Sequence, residues 1–99
     1  MTDFRRIKYI VRGSESGVSK LNALLESHYY DDEINGFGRA LNDVGFDWEG
    51  IGTIDLISLK LLSKTKLELI LDFCWTPKHY VVDRVCKYFD LECFSYDIW

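Results

Sequence analysis

The chain has 99 residues, 47% hydrophobic and 28% charged, with a formal net charge of −4, which bounds it to one domain over residues 1–99 with a single core. A domain of this size buries about 65% of its unfolded surface, so neither a structural metal nor a disulfide framework is called for. The start, MTDFRRIKYI, carries charges where a signal peptide needs an apolar run and no stretch reaches spanning length, so the expectation is a cytoplasmic protein with no membrane partner.

Residues 5–12, RRIKYIVR, alternate with Ile7, Tyr9 and Val11 on one side and Lys8, Ile10 and Arg12 on the other. That is the period-two pattern of a strand, and Gly13 ends it. SESGVSKLNALLESHYY then sets Val18, Leu21, Leu24 and Leu25 at helical spacing, with Ser14 or Ser16 as N-cap, and the helix fades near His28. In DDEINGFGRALNDVGFDWEGIG, glycines at 36, 38, 45, 50 and 52 predict a long connection with at most a short helical turn over 37–44. Connections this long in a small domain are uncommon and often functional.

In TIDLISLKLL, Ile54, Leu56, Ser58 and Lys60 alternate with Asp55, Ile57, Leu59 and Leu61. SKTK turns the chain, and LELILDFCW sets Leu67, Leu69, Leu71 and Phe73 against Glu68, Ile70, Asp72 and Cys74. Two strands around a short polar turn make a hairpin. Thr76 and Pro77 then read as the N-cap and first position of a second helix, carrying Val81, Val82, Val85, Cys86 and Phe89 on its apolar face. LECFSYDIW supplies a fourth strand, in which Leu91, Cys93, Ser95 and Asp97 alternate with Glu92, Phe94, Tyr96 and Ile98.

The element order β-α-(long loop)-β-β-α-β predicts an α+β, ferredoxin-like βαββαβ fold: an antiparallel four-stranded sheet, two helices on one face, and a long acidic loop insertion. The other sheet face, rich in aromatics, needs an occupant: water, a loop, a partner, or a second copy in a homodimer.

Charge is unevenly spread. Between residues 26 and 49 lie seven acids, Glu26, Asp31, Asp32, Glu33, Asp43, Asp47 and Glu49, and one base, Arg39, whereas the remaining nine acids face eleven bases. Tyr29, Tyr30, Phe37, Phe46 and Trp48 fall in or beside the same segment. Acids interleaved with aromatics suit a basic protein partner, the charge steering approach and Tyr or Trp anchoring the interface. We therefore expect a partner-binding site at Glu26, Tyr29, Tyr30, Asp31, Asp32, Glu33, Asp43, Asp47, Trp48 and Glu49; the alternative is that Phe37, Phe46 and Trp48 finish the core. Phosphate is repelled by such a surface, which argues against nucleic acid. On the first strand Arg5, Arg6, Lys8 and Arg12 form the one concentrated basic group, a thin basis for nucleic-acid or nucleotide binding on the sheet face.

Signals for catalysis are weak. His28 and His79 each lack a second ligand at helical spacing, and Cys74, Cys86 and Cys93 form no CxxC pair. Asp31, Asp32 and Glu33 lack the ligand spacing of a calcium loop, and GFGRALNDVG does not spell a phosphate-binding loop. The expectation is no enzyme, no metal and no cofactor.

The C-terminal third, LELILDFCWTPKHYVVDRVCKYFDLECFSYDIW, resembles the ferredoxin-like domain of YubB-like proteins carried by phages and plasmids. The resemblance rests on the corner Phe73, Trp75, Thr76 and Pro77, then Val81, Phe89, Leu91, Phe94 and Tyr96. The chain departs from that pattern in its single proline and in lacking an N-terminal tryptophan. The resemblance implies a mobile-element origin and a binding role, and no catalytic residues come with it. The functional expectation is a small acidic inhibitor that occupies a basic host protein, such as a CRISPR effector, in the manner of anti-CRISPR proteins. The alternative in the same class is an immunity protein neutralising a toxic nuclease.

Overall fold

In a computed structural model, residues 4–29, 45, 54–74 and 78–97 are described. Strand β1 (Phe4–Arg12) leads into helix α1 (Glu15–Tyr29), followed by β2 (Ile54–Ser63), β3 (Lys66–Cys74), α2 (His79–Tyr88) and β4 (Glu92–Asp97). The strands form one sheet in the order β2-β3-β1-β4, and every neighbouring pair is antiparallel. With β3 between β1 and β2, and β1 between β3 and β4, each helix joins two strands that have a third between them. This is the split βαβ pattern of a ferredoxin-like α+β fold.

Alternation decides which face is covered. Ile7, Tyr9 and Val11 of β1 lie opposite Leu71, Leu69 and Leu67 of β3, and all six are buried together with Ile54 and Phe73. Val18, Leu21 and Leu25 of α1 and Val81, Val82, Val85 and Cys86 of α2 complete the same cluster. Both helices therefore cover one face of the sheet, and each fully buried Leu, Ile or Val contributes about 1.5–3 kcal/mol relative to exposure.

Strand β2 departs from the alternation that its sequence predicts. The register shifts between Leu56 and Ser58, a bulge that inserts Ile57 as an extra residue. Leu59 then pairs with Leu69 and packs against the core, while Ser58 and Lys60 pair with Ile70 and Glu68 on the opposite face. Without the bulge, Ser58 and Lys60 would point into the core and Leu59 out of it.

At the N-terminus of α1, Ser14 is the cap: its Oγ accepts the Gly17 N–H at 3.0 Å. Thr76 and Pro77, expected to open the helix, lie outside the described residues; helix α2 is described from His79, with Lys78 at the N-cap position and no side-chain cap bond. An ammonium group only donates. What fixes the first turn instead is His79, whose Nδ1 shares a 2.8 Å hydrogen bond with the Tyr9 hydroxyl on the sheet.

The far end of α2 is closed more tightly. Asp90 N–H donates to the Lys87 carbonyl at 3.0 Å and Leu91 N–H to the Cys86 carbonyl at 2.8 Å, with Asp90 in left-handed backbone at φ 58°. These paired bonds make a Schellman closure, and Leu91 folds back into the core. The β2-β3 turn at Lys64-Thr65 is tied to β1 by the Gly13 N–H, which donates to the Thr65 carbonyl at 3.1 Å.

Candidate functional site

The sheet face away from the helices is built by the residues that alternate with the core. The register sets them in four rows: Asp55, Asp72 and Arg6; Ser58, Ile70, Lys8 and Tyr96; Lys60, Glu68, Ile10 and Phe94; Ser63, Lys66, Arg12 and Glu92.

The row containing Arg6 is committed to the fold. Its guanidinium donates from Nε to Asp72 Oδ1 at 2.8 Å and from Nη2 to Asp72 Oδ2 at 2.9 Å, the two-pronged geometry that arginine forms with carboxylates. The hydrogen bond and charge of Asp72 raise the Arg6 pKa. Across the other strand boundary Asp55 faces Asp72, and its pKa is raised, first by burial and then by the Asp72 charge. The folded chain thus holds the Asp55 proton more tightly than the unfolded chain does. Ionising Asp55 costs stability, and the cost appears as pH rises from the ordinary carboxylate value of about 4 through the higher folded value. Asp55→Asn is expected to raise the unfolding free energy, read by urea titration at pH 7, by a few tenths of a kcal/mol and at most about 1, because solvent screens this partly exposed like-charged cross-strand pair. At a pH of about 3, where Asp55 is protonated in both states, the gain disappears; an equal gain at both values would exclude charge as its source.

The β1/β4 side differs in character. Phe94 and Tyr96 are 41% and 52% exposed, so each ring keeps free area for contact. Arg12 Cζ lies 4.8 Å from the Phe94 ring centroid and Lys8 Nζ lies 5.8 Å from that of Tyr96. Arg12 also reaches Glu92, Nε to Oε2, at 3.6 Å. Ile10, Arg12, Leu62, Lys66, Phe94 and Tyr96 line a shallow depression of about 270 Å³.

On the helix side, a cleft of about 240 Å³ between α2 and β4 is lined by Tyr9, His79, Tyr80, Asp83, Cys93 and Ser95. Here polar side chains form relays. Hydrogen bonding with the Cys86 thiol holds the Cys93 pKa below the ordinary thiol value, with the Lys87 charge acting in the same direction and burial and Asp83 opposing it. Cys86 is shifted strongly upward, by that bond first and by burial second. Cys93 in turn donates to Asp83 Oδ1 at 3.7 Å, and Lys87 Nζ lies 3.4 Å from Asp83. Cys93 and His79 share the cleft, but His79 Nδ1 is engaged by Tyr9.

Of the partner-binding residues expected from the sequence, Glu26 is exposed on α1, where its Oε2 accepts from Asn22 Nδ2 at 3.5 Å, and Tyr29 is the last residue of that helix. Tyr30, Asp31, Asp32, Glu33, Asp43, Asp47, Trp48 and Glu49 lie outside the described residues. Within that segment Gly45 alone is described, exposed and at φ 77°. The basic group on β1 is divided by the pleat: Arg5 pairs with Phe73 on the helix side, Arg6 is held by Asp72, and Lys8 and Arg12 meet the rings of β4. Sequence reading saw those cations and rings separately; the signal that joins them is the antiparallel β1-β4 register. Among the described residues no cluster of His, Cys, Asp and Glu is arranged to hold a metal ion, and no helix is long and apolar enough to cross a membrane.

No family model, curated protein or solved structure matches the chain. What places it in a class is its fold: a ferredoxin-like α+β domain with two helices packed on one face of an antiparallel sheet.

Proposed function

We propose that the chain is a non-enzymatic protein-binding inhibitor, carried by a phage or other mobile element and acting in the cytoplasm, that occupies a basic surface of a host protein through its acidic, aromatic segment. The observation that carries this reading is the concentration of seven carboxylates against one arginine between residues 26 and 49. A field of one sign speeds encounter with a cationic partner and fixes orientation. Tyr29, Tyr30 and Trp48 supply the residue types that anchor such interfaces. The fold suits the role, because the segment leaves the end of α1 at Tyr29 and rejoins the sheet at Ile54, both parts of one packed core. The resemblance of the C-terminal third to YubB-like domains supports the mobile-element origin.

The test is affinity capture from the natural host, with the captured protein identified by mass spectrometry. A CRISPR effector is expected; a nuclease toxin would make the chain an immunity protein acting through the same surface. The triple variant Asp31→Lys, Asp32→Lys, Glu33→Lys is expected to lose at least about tenfold in affinity for the captured partner while its thermal midpoint stays put. Each close charge pair in a protein interface couples by about 1.5 kcal/mol or more, so unchanged affinity would reject the segment as the site.

A further inference from the structure

We propose that the β1/β4 half of the open sheet face binds single-stranded nucleic acid, with Phe94 and Tyr96 as platforms for two neighbouring bases and Lys8, Arg12 and Lys66 facing the phosphates. The inference rests on described residues of the sheet and not on the acidic segment.

Phe94 and Tyr96 are alternate residues of one strand, so they stand side by side at about 6.8 Å. Both look out from the face away from the helices, and each has a cation beside its ring, Arg12 at 4.8 Å and Lys8 at 5.8 Å. Lys66 lies opposite Arg12 in the register. Ile10 and Leu62 give the depression an apolar floor. A single strand presents flat apolar bases and single negative charges in regular alternation, and this face repeats rings and cations in the same way. Base-aromatic stacking tolerates any sequence because every base has a π-face, and the Arg12 guanidinium plane is itself a stacking surface.

The other occupants fit less well. An acidic peptide would satisfy Lys8, Arg12 and Lys66 but set nothing on the two rings. A second copy related by a two-fold axis would bring this basic patch onto itself. A double helix keeps the faces of its bases stacked inside. Glu92, 3.6 Å from Arg12, and the net charge of −4 oppose phosphate, so stacking carries the larger share and few phosphates are engaged. With two or three contacts the slope of log K against log salt is about −1.4 to −2.1.

The experiment is fluorescence polarisation with labelled oligouridylate and oligothymidylate of about 12 nucleotides, within the range of site sizes that such platforms cover, alongside a duplex of equal length and a polyglutamate peptide. The full chain is expected to bind the single strands in preference to both others, and comparison of the two oligonucleotides tells RNA from DNA. Phe94→Ala and Tyr96→Ala are each expected to weaken binding about five- to a hundredfold, and both rings are exposed, so the thermal midpoint stays within a few degrees. Lys8→Gln is expected to flatten the salt slope by about one phosphate, about 0.7. Three results overturn the proposal: a Kd for single strands weaker than about 1 mM at low salt, equal affinity in the doubly substituted Phe94→Ala, Tyr96→Ala chain, or polyglutamate binding as tightly as the oligonucleotides.

Discussion

Phe73→Ala is expected to destabilise the domain by about 3–5 kcal/mol, the range found when a buried aromatic ring is cut back to a methyl group. Phe73 is fully buried on β3, which has β2 on one side and β1 on the other, so neither edge is free to close the gap. Its ring meets that of Tyr9 edge to face, with centroids 6.3 Å apart and planes at 69°, an arrangement that adds about 0.5–1.5 kcal/mol beyond area burial. Tyr9 in turn holds the first turn of α2 through His79. A cavity at Phe73 therefore loosens the sheet and one helix together. For domains with about 5–15 kcal/mol in hand the loss is a large share, and at about 4–8 °C per kcal/mol it lowers the melting midpoint by more than about 12 °C. Urea titration followed by circular dichroism measures it. Tyr9→Phe, which removes only the hydroxyl, is expected to cost about 1 kcal/mol. A Phe73→Ala loss no larger than that would mean the ring is not enclosed as described.

That core was readable from the chain because its signal is periodic. Ile7, Tyr9 and Val11, and Leu67, Leu69, Leu71 and Phe73, share a side at period two, and every one of them is buried. Val18, Leu21 and Leu25 did the same at helical spacing, and Leu24 beside them is half-buried against the core. The element order then left few ways to pair the strands. Two details were not readable. The bulge at Ile57 exists because β3 supplies partners for Leu56 and Leu59, and a partner strand is not visible in a local pattern. The start of α2 is held by Tyr9, 70 residues earlier, whereas the capping motif at Thr76-Pro77 is local.

The candidate surfaces divide along the same line. The charge of the acidic segment is a property of composition, so it was plain in the sequence. The basic and aromatic face is a property of pairing: Lys8 and Tyr96, or Arg12 and Phe94, lie at opposite ends of the chain, and only the β1-β4 register makes them neighbours. In the sequence of β1, Arg5, Arg6, Lys8 and Arg12 stand together as one basic group. The pleat sends Arg5 to the other side, and Asp72 takes Arg6, so two remain beside the rings, with Lys66 joining from β3.

Gly17→Ala tests the same lesson with opposite local and tertiary expectations. Within a helix, alanine is favoured over glycine by about 0.5–1 kcal/mol, and by that measure the substitution stabilises. The neighbours reverse the sign. A Cβ at Gly17 would lie 2.7 Å from the Phe89 carbonyl oxygen, 2.9 Å from Leu91 Cδ2 and 3.1 Å from Ser14 Oγ. The first of these is backbone, held by the closure of α2 in which Phe89, Asp90 and Leu91 N–H groups donate back into the helix. The third is the oxygen that caps α1. Making room therefore strains one helix end and disturbs the other, and overpacking of this kind costs about 1–3 kcal/mol. The net expectation is a lower urea midpoint for Gly17→Ala. Ser19→Ala, on the exposed side of the same helix, is expected to raise the midpoint slightly, for a gain of a few tenths of a kcal/mol in unfolding free energy. If both substitutions stabilised, α1 would not approach the α2-β4 corner as closely as described, and the packing that holds β4 and its two exposed rings in place would have to be drawn differently.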